Sequence, residues 1–207
     1  MSPFGNDPYC YPGTDILKNL EGIRDRNALD RFEADATTAS IIGLRQDPIQ
    51  GPFDTRRLQE THRRIFGIVY PWAGEFRRDI GIMAKSRSGF VVSYGPSQNV
   101  PAALTTAFNA LKAVNFLEGL ETSAFAKRLA WFYSELDAIH VFRDGNSRTL
   151  RAFSSDLAHS AGHRLDWAPA AQTPEHRQQL YPARDLAVMR GDRSELAGII
   201  GACLRNH

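Results

Sequence analysis

Residues 125–151 read FAKRLAWFYSELDAIHVFRDGNSRTLR, an amphipathic segment that runs into a polar loop centred on glycine. Apolar side chains in the first half recur at intervals of four, three, four and three residues, which predicts a helix with one buried face. Ser123 is a suitable N-cap for that helix. The side chains on its buried face are Phe125, Leu129, Phe132, Leu136 and Ile139.

A second apolar stripe follows the loop, at Leu150, Phe153, Leu157 and Ala161. This spacing predicts another buried helix, and Gly162 is a good residue to end it. The polar loop is therefore expected to be held between two helices that pack into the core.

The remaining chain is also mainly helical, with one exception. Between Phe76 and Tyr94, apolar residues flank the turn-forming stretch Arg87–Gly89, which predicts a short β-hairpin. Asp54 is a plausible N-cap for a helix that continues through Val69 and is ended by Pro71. The sequence thus predicts a mainly α fold with a small hairpin inserted before the strongest helices.

The composition of the 207 residues, 43% apolar and 23% charged, is that of an ordinary globular protein. No apolar run approaches the ~20 residues of a membrane span, and no signal peptide is evident. A formal charge of +2 gives no reason to expect nucleic acid or membrane as a partner. Cys10 and Cys203 are expected to be free thiols of a cytoplasmic protein.

The loop itself has the properties of an anion site. It ends where a helix begins, so the unpaired backbone N–H groups of Asn146, Ser147 and Arg148 should attract a phosphate. Gly145 lets the backbone turn and approach a ligand closely. Arg148 and Arg151 are neighbours on one helical face and could each bind phosphate oxygens.

Two further side chains suggest catalysis. Asp144 offers the hard oxygen ligand that Mg²⁺ accepts while it also binds phosphate. His140 can take a proton from a weak nucleophile, because histidine titrates near neutral pH. The loop holds no activated serine or cysteine, so the attacking hydroxyl is expected to come from the substrate.

Each of these residues also has a purely structural interpretation. A single histidine after an apolar helix is usually a core or capping residue, and Asp144-Gly145-Asn146 alone is an ordinary turn. A pair of arginines is usually a solvated helix face. The combination within residues 140–151 favours the functional interpretation.

This segment resembles the signature of the Fic family, His-x-Phe-x-(Asp/Glu)-Gly-Asn-(Gly/Lys)-Arg-x-x-Arg. Further stretches, residues 11–19, 58–67, 70–77 and 161–167, are similar to other parts of that family. The specified positions that match are His140, Phe142, Asp144, Gly145, Asn146, Arg148 and Arg151.

The resemblance implies a helical bundle with a β-hairpin flap before the core helices. It would form a single domain over residues 1–207, with an N-terminal arm at 1–27, a core at about 54–168 and C-terminal helices at 174–205. The flap, centred on Gly89, Phe90 and Val91, would align the target protein by strand addition.

The resemblance also implies transfer of AMP from ATP to a protein hydroxyl. His140 would be the base, and Asp144 would hold Mg²⁺. Gly145, Asn146 and Ser147 would surround the phosphates, while Arg148 and Arg151 would bind the β- and γ-phosphates.

Ser147 departs from the signature, which has glycine or lysine at this position. Its Cβ could crowd the α-phosphate and leave a module that only binds a nucleotide or partner. A lysine would have suggested the Doc-like kinases of the family. Serine is closer in size to glycine and favours AMP transfer, with transfer of another phosphate-containing group as the alternative.

Regulation is expected to come from a partner. The inhibitory pattern (Ser/Thr)-x-x-x-Glu-(Gly/Asn) of many family members is absent from the sequence. The resemblance therefore implies a toxin whose separate small antitoxin supplies a glutamate to Arg151. It also implies DNA gyrase and topoisomerase IV as possible targets.

Overall fold

The computed structural model of the chain describes residues 7–78, 83–87 and 90–205. The helices of this part are α1 (Arg26–Gln46), α2 (Thr55–Phe66), α3 (Val100–Ala113), α4 (Thr122–Ile139), α5 (Asn146–Ser160), α6 (Ala168–Ala171), α7 (Pro174–Arg190) and α8 (Ser194–Cys203). The strands are β1 (Met83–Arg87), β2 (Phe90–Tyr94), β3 (Arg164–Leu165) and β4 (Leu204–Arg205). The predicted mainly α fold, with a hairpin ahead of the central helices, is confirmed.

Helix α4 lies at the centre of the larger core and contacts α3, α5, α7 and α8. The predicted stripe is almost entirely buried: Phe125, Leu129, Phe132 and Leu136 are at most 2% exposed. Burying each such side chain stabilises the fold by roughly 1.5–3 kcal/mol relative to leaving it in water. The stripe therefore fixes the helix from which the polar loop emerges.

Cap positions were predicted with mixed success. The Asp54 carboxylate accepts a hydrogen bond from the Arg57 N–H, as expected of the N-cap of α2. Ser123 is not the N-cap of α4, because the helix begins at Thr122 and Glu121 precedes it without a side-chain cap. The burial of Phe125 anchors this helix start instead of a cap hydrogen bond.

A second, smaller core joins the N-terminal segment to α2. Leu17, Leu29, Ile65 and Phe66 are all buried in it. The Leu20 N–H donates to the Val69 carbonyl at 2.9 Å, which ties the segment to the chain after α2. The N-terminal segment and α1 thus form a layer over α2, on the side of the molecule that carries the N-terminal end of α5.

The two strand pairs are both antiparallel. In the hairpin, Met83 pairs with Tyr94 and Arg87 with Phe90. Strand β3, which follows α5, pairs with β4 at the C-terminal end of α8. Among the described helices, none combines the length and apolar character needed to cross a membrane.

Candidate active site

The loop between α4 and α5 makes its turn with two left-handed residues. His140 ends α4 with φ 50° and ψ 65°, and Gly145 precedes α5 with φ 78°. A left-handed backbone carries no steric penalty for glycine but is uncommon for other residues. The loop therefore places its histidine under a conformational constraint that the surrounding structure must maintain.

Asn146 holds the loop closed through its side chain. Its Oδ1 accepts from the Phe142 N–H at 2.9 Å, and its Nδ2 donates to the Phe142 carbonyl at 2.7 Å. Because the amide is 5% exposed and satisfied by the backbone, it fixes the loop shape. What it can offer a ligand is its backbone N–H.

His62, on α2, packs against the loop and hydrogen-bonds to its backbone. Its Nδ1 accepts from the Gly74 N–H at 2.8 Å, so Nε2 carries the proton and donates to the Asp144 carbonyl at 3.0 Å. The ring stacks on Phe142 with centroids 3.9 Å apart. Burial lowers the pKa of His62 to about 4, which keeps the imidazole neutral at physiological pH.

This histidine should make the stability of the protein depend on pH. Between pH 6.5 and about 4, this histidine is protonated in the unfolded chain but neutral in the folded protein. The free energy of unfolding therefore falls as the pH falls through this range. This difference in pKa corresponds to about 3 kcal/mol of unfolding free energy. Urea unfolding across this range should show that His62→Asn has lost that dependence, whereas exposed His159→Gln keeps it. Parallel curves for wild type and His62→Asn would contradict the assignment.

His140 is buried at 2% exposure and is held from two directions. Its ring stacks on Tyr94 of β2, with centroids 3.7 Å apart and planes 16° apart. Its carbonyl accepts from Arg77 Nε at 2.5 Å, and Arg77 Nη2 donates to the Gly95 carbonyl at 2.6 Å. The flap and the histidine are therefore joined through one buried arginine.

The N-terminus of α5 faces the same space. The first hydrogen bond of the helix runs from the Thr149 N–H to the Gly145 carbonyl at 3.1 Å. The amides of residues 146–148 precede that ladder, as anion binding requires. The Gly145 N–H instead donates to Asp144 Oδ1 at 2.6 Å, so glycine contributes its backbone conformation here.

A cavity of about 370 Å³ collects these groups. The predicted residues His140, Asp144 and 145–148 line it together with Arg151. Its lining is basic: Asp144 is the one acidic group among the described residues that line it. The basic lining residues are Lys85, Arg148, Arg151, Arg177 and Arg184.

The motif arginines differ in their partners. Arg148 Nη2 pairs with Glu33 of α1 at 2.5 Å, Nη1 donates to Thr37 Oγ1 at 3.1 Å, and the guanidinium lies over the Phe66 ring. Arg151 Nη1 donates to the Ser147 hydroxyl at 2.8 Å. In the described part of the chain no carboxylate pairs with Arg151, and desolvation lowers the pKa of its guanidinium.

The donor set at Asp144 fits Mg²⁺ better than a metal held by protein alone. No group of three or more His, Cys, Asp or Glu side chains is close enough to hold a metal among the described residues. Mg²⁺ commonly takes one or two carboxylates and completes its shell with water and phosphate oxygens. A single carboxylate beside an anion site meets that need.

The flap residues are only partly described. Gly89 lies outside the described residues, and Phe90 opens β2 through its backbone pairing with Arg87. Val91 is 62% exposed, slightly more than the other exposed large apolar side chains of the described residues. Lys85 of β1 reaches the cavity wall.

Several side chains that shape the site were not singled out from the sequence. His62 and Arg77 lie in stretches that resemble the Fic family, which was the one available signal. Glu33 and Arg184 lie 115 and 37 residues from the loop residues they contact. No local pattern connects positions so far apart.

Comparison with known proteins places this chain in a family. A sequence model described as the Fic/DOC family matches residues 52–158. Over 162 residues, 78% of this chain, it is 36% identical to the protein adenylyltransferase VbhT of Bartonella schoenbuchensis, of which it spans about one third (33%). It is also 36% identical over 161 residues to the probable protein adenylyltransferase y4lH of Sinorhizobium fredii, covering 77% of this chain and 79% of that protein.

The fold has a close counterpart among solved structures. The BepC protein of Bartonella tribocorum, a VirB-translocated effector crystallised with bound AMPPNP, superposes with a TM-score of 0.85. The two chains are 25% identical, and the match covers 97% of each. Sequence and structure agree that this chain belongs to the Fic/DOC family.

Proposed function

We propose that this chain transfers AMP from ATP to a hydroxyl side chain of a target protein. One observation carries the proposal: a buried histidine, an open helix N-terminus and an arginine without a carboxylate partner among the described residues line one basic cavity. The names of the two adenylyltransferase relatives support this chemistry.

In the proposed reaction, His140 takes the proton of the target hydroxyl. The hydroxyl oxygen forms a bond to the α-phosphorus of ATP while the bond from that phosphorus to the bridging oxygen breaks. Pyrophosphate leaves with the electron pair. The amides of residues 146–148 and the guanidinium of Arg151 stabilise the negative charge that accumulates on it. Arg148 is proposed to contribute beside them while Glu33 and Thr37 hold it.

Asp144 is the residue proposed to hold Mg²⁺. The ion would supply positive charge against the α- and β-phosphates when it is bound. One Asp144 oxygen is engaged by the Gly145 N–H at 2.6 Å, and this bond orients the carboxylate within the cavity.

The flap is proposed to receive the target segment along a strand edge. Val91 supports this role, because its exposed apolar side chain offers a contact beside the backbone of β2. Gly89 and Phe90 are proposed to belong to the same surface. Tyr94 connects that surface to His140, so a strand bound there would lie close to the base.

A small partner protein is proposed to inhibit the enzyme by placing a glutamate against Arg151. A second cavity of about 300 Å³ lies between α1 and α5 and has Arg148 and Arg151 at its border. Its other walls combine apolar residues with Arg45, Ser155, Asp156 and His159, and such a mixed surface suits an amphipathic helix. A carboxylate paired with Arg151 would compete with the terminal phosphate of ATP. The apolar residues are Ile41, Leu44, Pro48, Ala152 and Trp167.

We further propose that the protein acts as a toxin in the bacterial cytoplasm. Both cysteines, Cys10 and Cys203, are free thiols, as expected in a reducing compartment. The proposed targets, DNA gyrase and topoisomerase IV, rest on the resemblance to toxin-like family members.

Labelled ATP separates AMP transfer from its alternatives. Purified protein, Mg²⁺ and a bacterial lysate are incubated with either α-³²P- or γ-³²P-ATP. We expect a labelled protein band from the α position only, because the γ-phosphate leaves with pyrophosphate. Label from the γ position alone would identify a Doc-like kinase. Absence of label from both, in protein that binds ATP, would refute group transfer from ATP.

A further inference from the structure

The Ser147 hydroxyl lies between two guanidinium groups. It accepts from Arg151 Nη1 at 2.8 Å and from Arg184 Nη1 at 2.7 Å. A hydroxyl oxygen has two lone pairs, so these two donors use its full capacity as an acceptor. Ser147, which departs from the family signature, therefore bridges two cationic side chains.

Arg184 is the fixed end of this bridge. Its Nε and Nη2 donate to the two carboxylate oxygens of Asp137 at 3.0 and 2.6 Å. Both side chains are 1% exposed, and a buried ion pair with two parallel hydrogen bonds allows little movement. Asp137 belongs to α4, one turn before His140, so the anchor is part of the central core.

Arg151 is the adjustable end. It has no carboxylate partner in residues 7–78, 83–87 or 90–205, and both Arg184 and Arg148 repel it. An arginine side chain samples many rotamers when nothing holds it. The hydroxyl of Ser147 holds this guanidinium at the cavity wall against repulsion from its neighbours. Glycine, the usual residue here, offers no such acceptor.

We propose that Ser147 is a positioning residue, anchored by Arg184, that orients Arg151 toward the terminal phosphates of ATP. This role rests on the proposed function only in taking ATP as the nucleotide. It replaces the expectation that the serine side chain mainly crowds the phosphate.

Alanine and glycine at position 147 distinguish positioning by the hydroxyl from crowding by the Cβ. Ser147→Ala removes the hydroxyl and keeps the Cβ, whereas Ser147→Gly removes both. If the hydroxyl orients Arg151, both variants weaken binding of AMPPNP with Mg²⁺ about tenfold, the typical effect of losing a hydrogen bond to a charged group. Ser147→Thr, which keeps the hydroxyl, restores binding. AMP affinity stays unchanged throughout, because AMP lacks the phosphates that Arg151 contacts.

Titration calorimetry gives the binding constants, and initial rates of label transfer give KM and kcat. We expect a raised KM for ATP with kcat changed less. Ser155→Ala is the matched control: Ser155 lies on the same helix as Ser147, and its hydroxyl donates to the carbonyl of Leu165 in β3 instead of accepting from Arg151. It should bind AMPPNP like wild type.

Unchanged AMPPNP binding in Ser147→Ala would overturn the positioning role, as would tighter binding in Ser147→Gly. An equal loss of AMP and AMPPNP affinity would also overturn it, because that loss would reflect general damage to the site. If AMPPNP binding depends on Ser147 while wild type transfers no label, AMP transfer is refuted and the positioning role stands.

Discussion

Alanine in place of His140 is expected to slow AMP transfer about a hundred- to ten-thousandfold, the range measured for loss of a general base. The histidine lines the cavity with the amides of α5, and its ring is held against Tyr94. No other group in the loop can take a proton from a hydroxyl at neutral pH, since Asp144 is the proposed metal ligand. The measurement is the initial rate of α-³²P incorporation into the target.

The backbone at this position requires a second variant. Because residue 140 is left-handed, alanine could also disturb the loop, whereas asparagine tolerates this conformation and is not a base. His140→Asn should therefore lose transfer equally while it keeps the wild-type AMPPNP affinity. A rate within tenfold of wild type in either variant would remove His140 from the proposed role.

Growth gives an independent readout of the same substitution. Expression of wild type in bacteria without a partner protein should arrest growth, and His140→Ala should relieve the arrest. Equal arrest by both proteins at matched expression levels would refute the proposal that AMP transfer causes the toxicity.

Alanine at Gly145 is expected to destabilise the fold by about 3 kcal/mol and to abolish AMPPNP binding. Two costs combine: a left-handed φ of 78° costs a residue with Cβ roughly 1–2 kcal/mol, and overpacking adds about 1–3 kcal/mol. The new Cβ would clash with two ring atoms of Phe66. That ring cannot move easily, because it is fully buried and packs against His62 and Arg148.

Gly162 provides the matched control for backbone strain. Its φ is 84°, yet a Cβ there would meet nothing within 4 Å. Gly162→Ala should therefore cost only about 1–2 kcal/mol, the conformational part alone. Urea unfolding of both variants measures the loss of unfolding free energy in each. Similar losses in the two variants would mean that the contact with Phe66 does not contribute to the cost at Gly145.

The sequence predicted those parts of the fold that depend on local patterns. The stripe on α4 predicted a helix that is indeed buried, and Asp54 identified the start of α2. It did not predict the end of α2, which stops at Phe66 well before Pro71, or the start of α4. Helix ends respond to tertiary packing, which a local pattern does not contain.

The loop could be recognised from the sequence because its residues are contiguous and each carries a distinct chemical group. What could not be predicted is how the loop is held. His62 reaches it from α2, Arg77 connects it to the flap, and Arg184 reaches Ser147 from α7. These contacts join distant positions, so they become visible only once the chain is folded.

The contacts between the N-terminal segment and the loop have a consequence for how this protein can evolve. Asp7 pairs with Arg143 at 2.6 Å, and Glu33 pairs with Arg148, although the family match begins only at residue 52. A fragment that begins at residue 52 and is fused to another protein would lack both carboxylates, and its Phe66 side chain would be exposed. Recombination that exchanges the first fifty residues should therefore separate each carboxylate from the arginine with which it pairs.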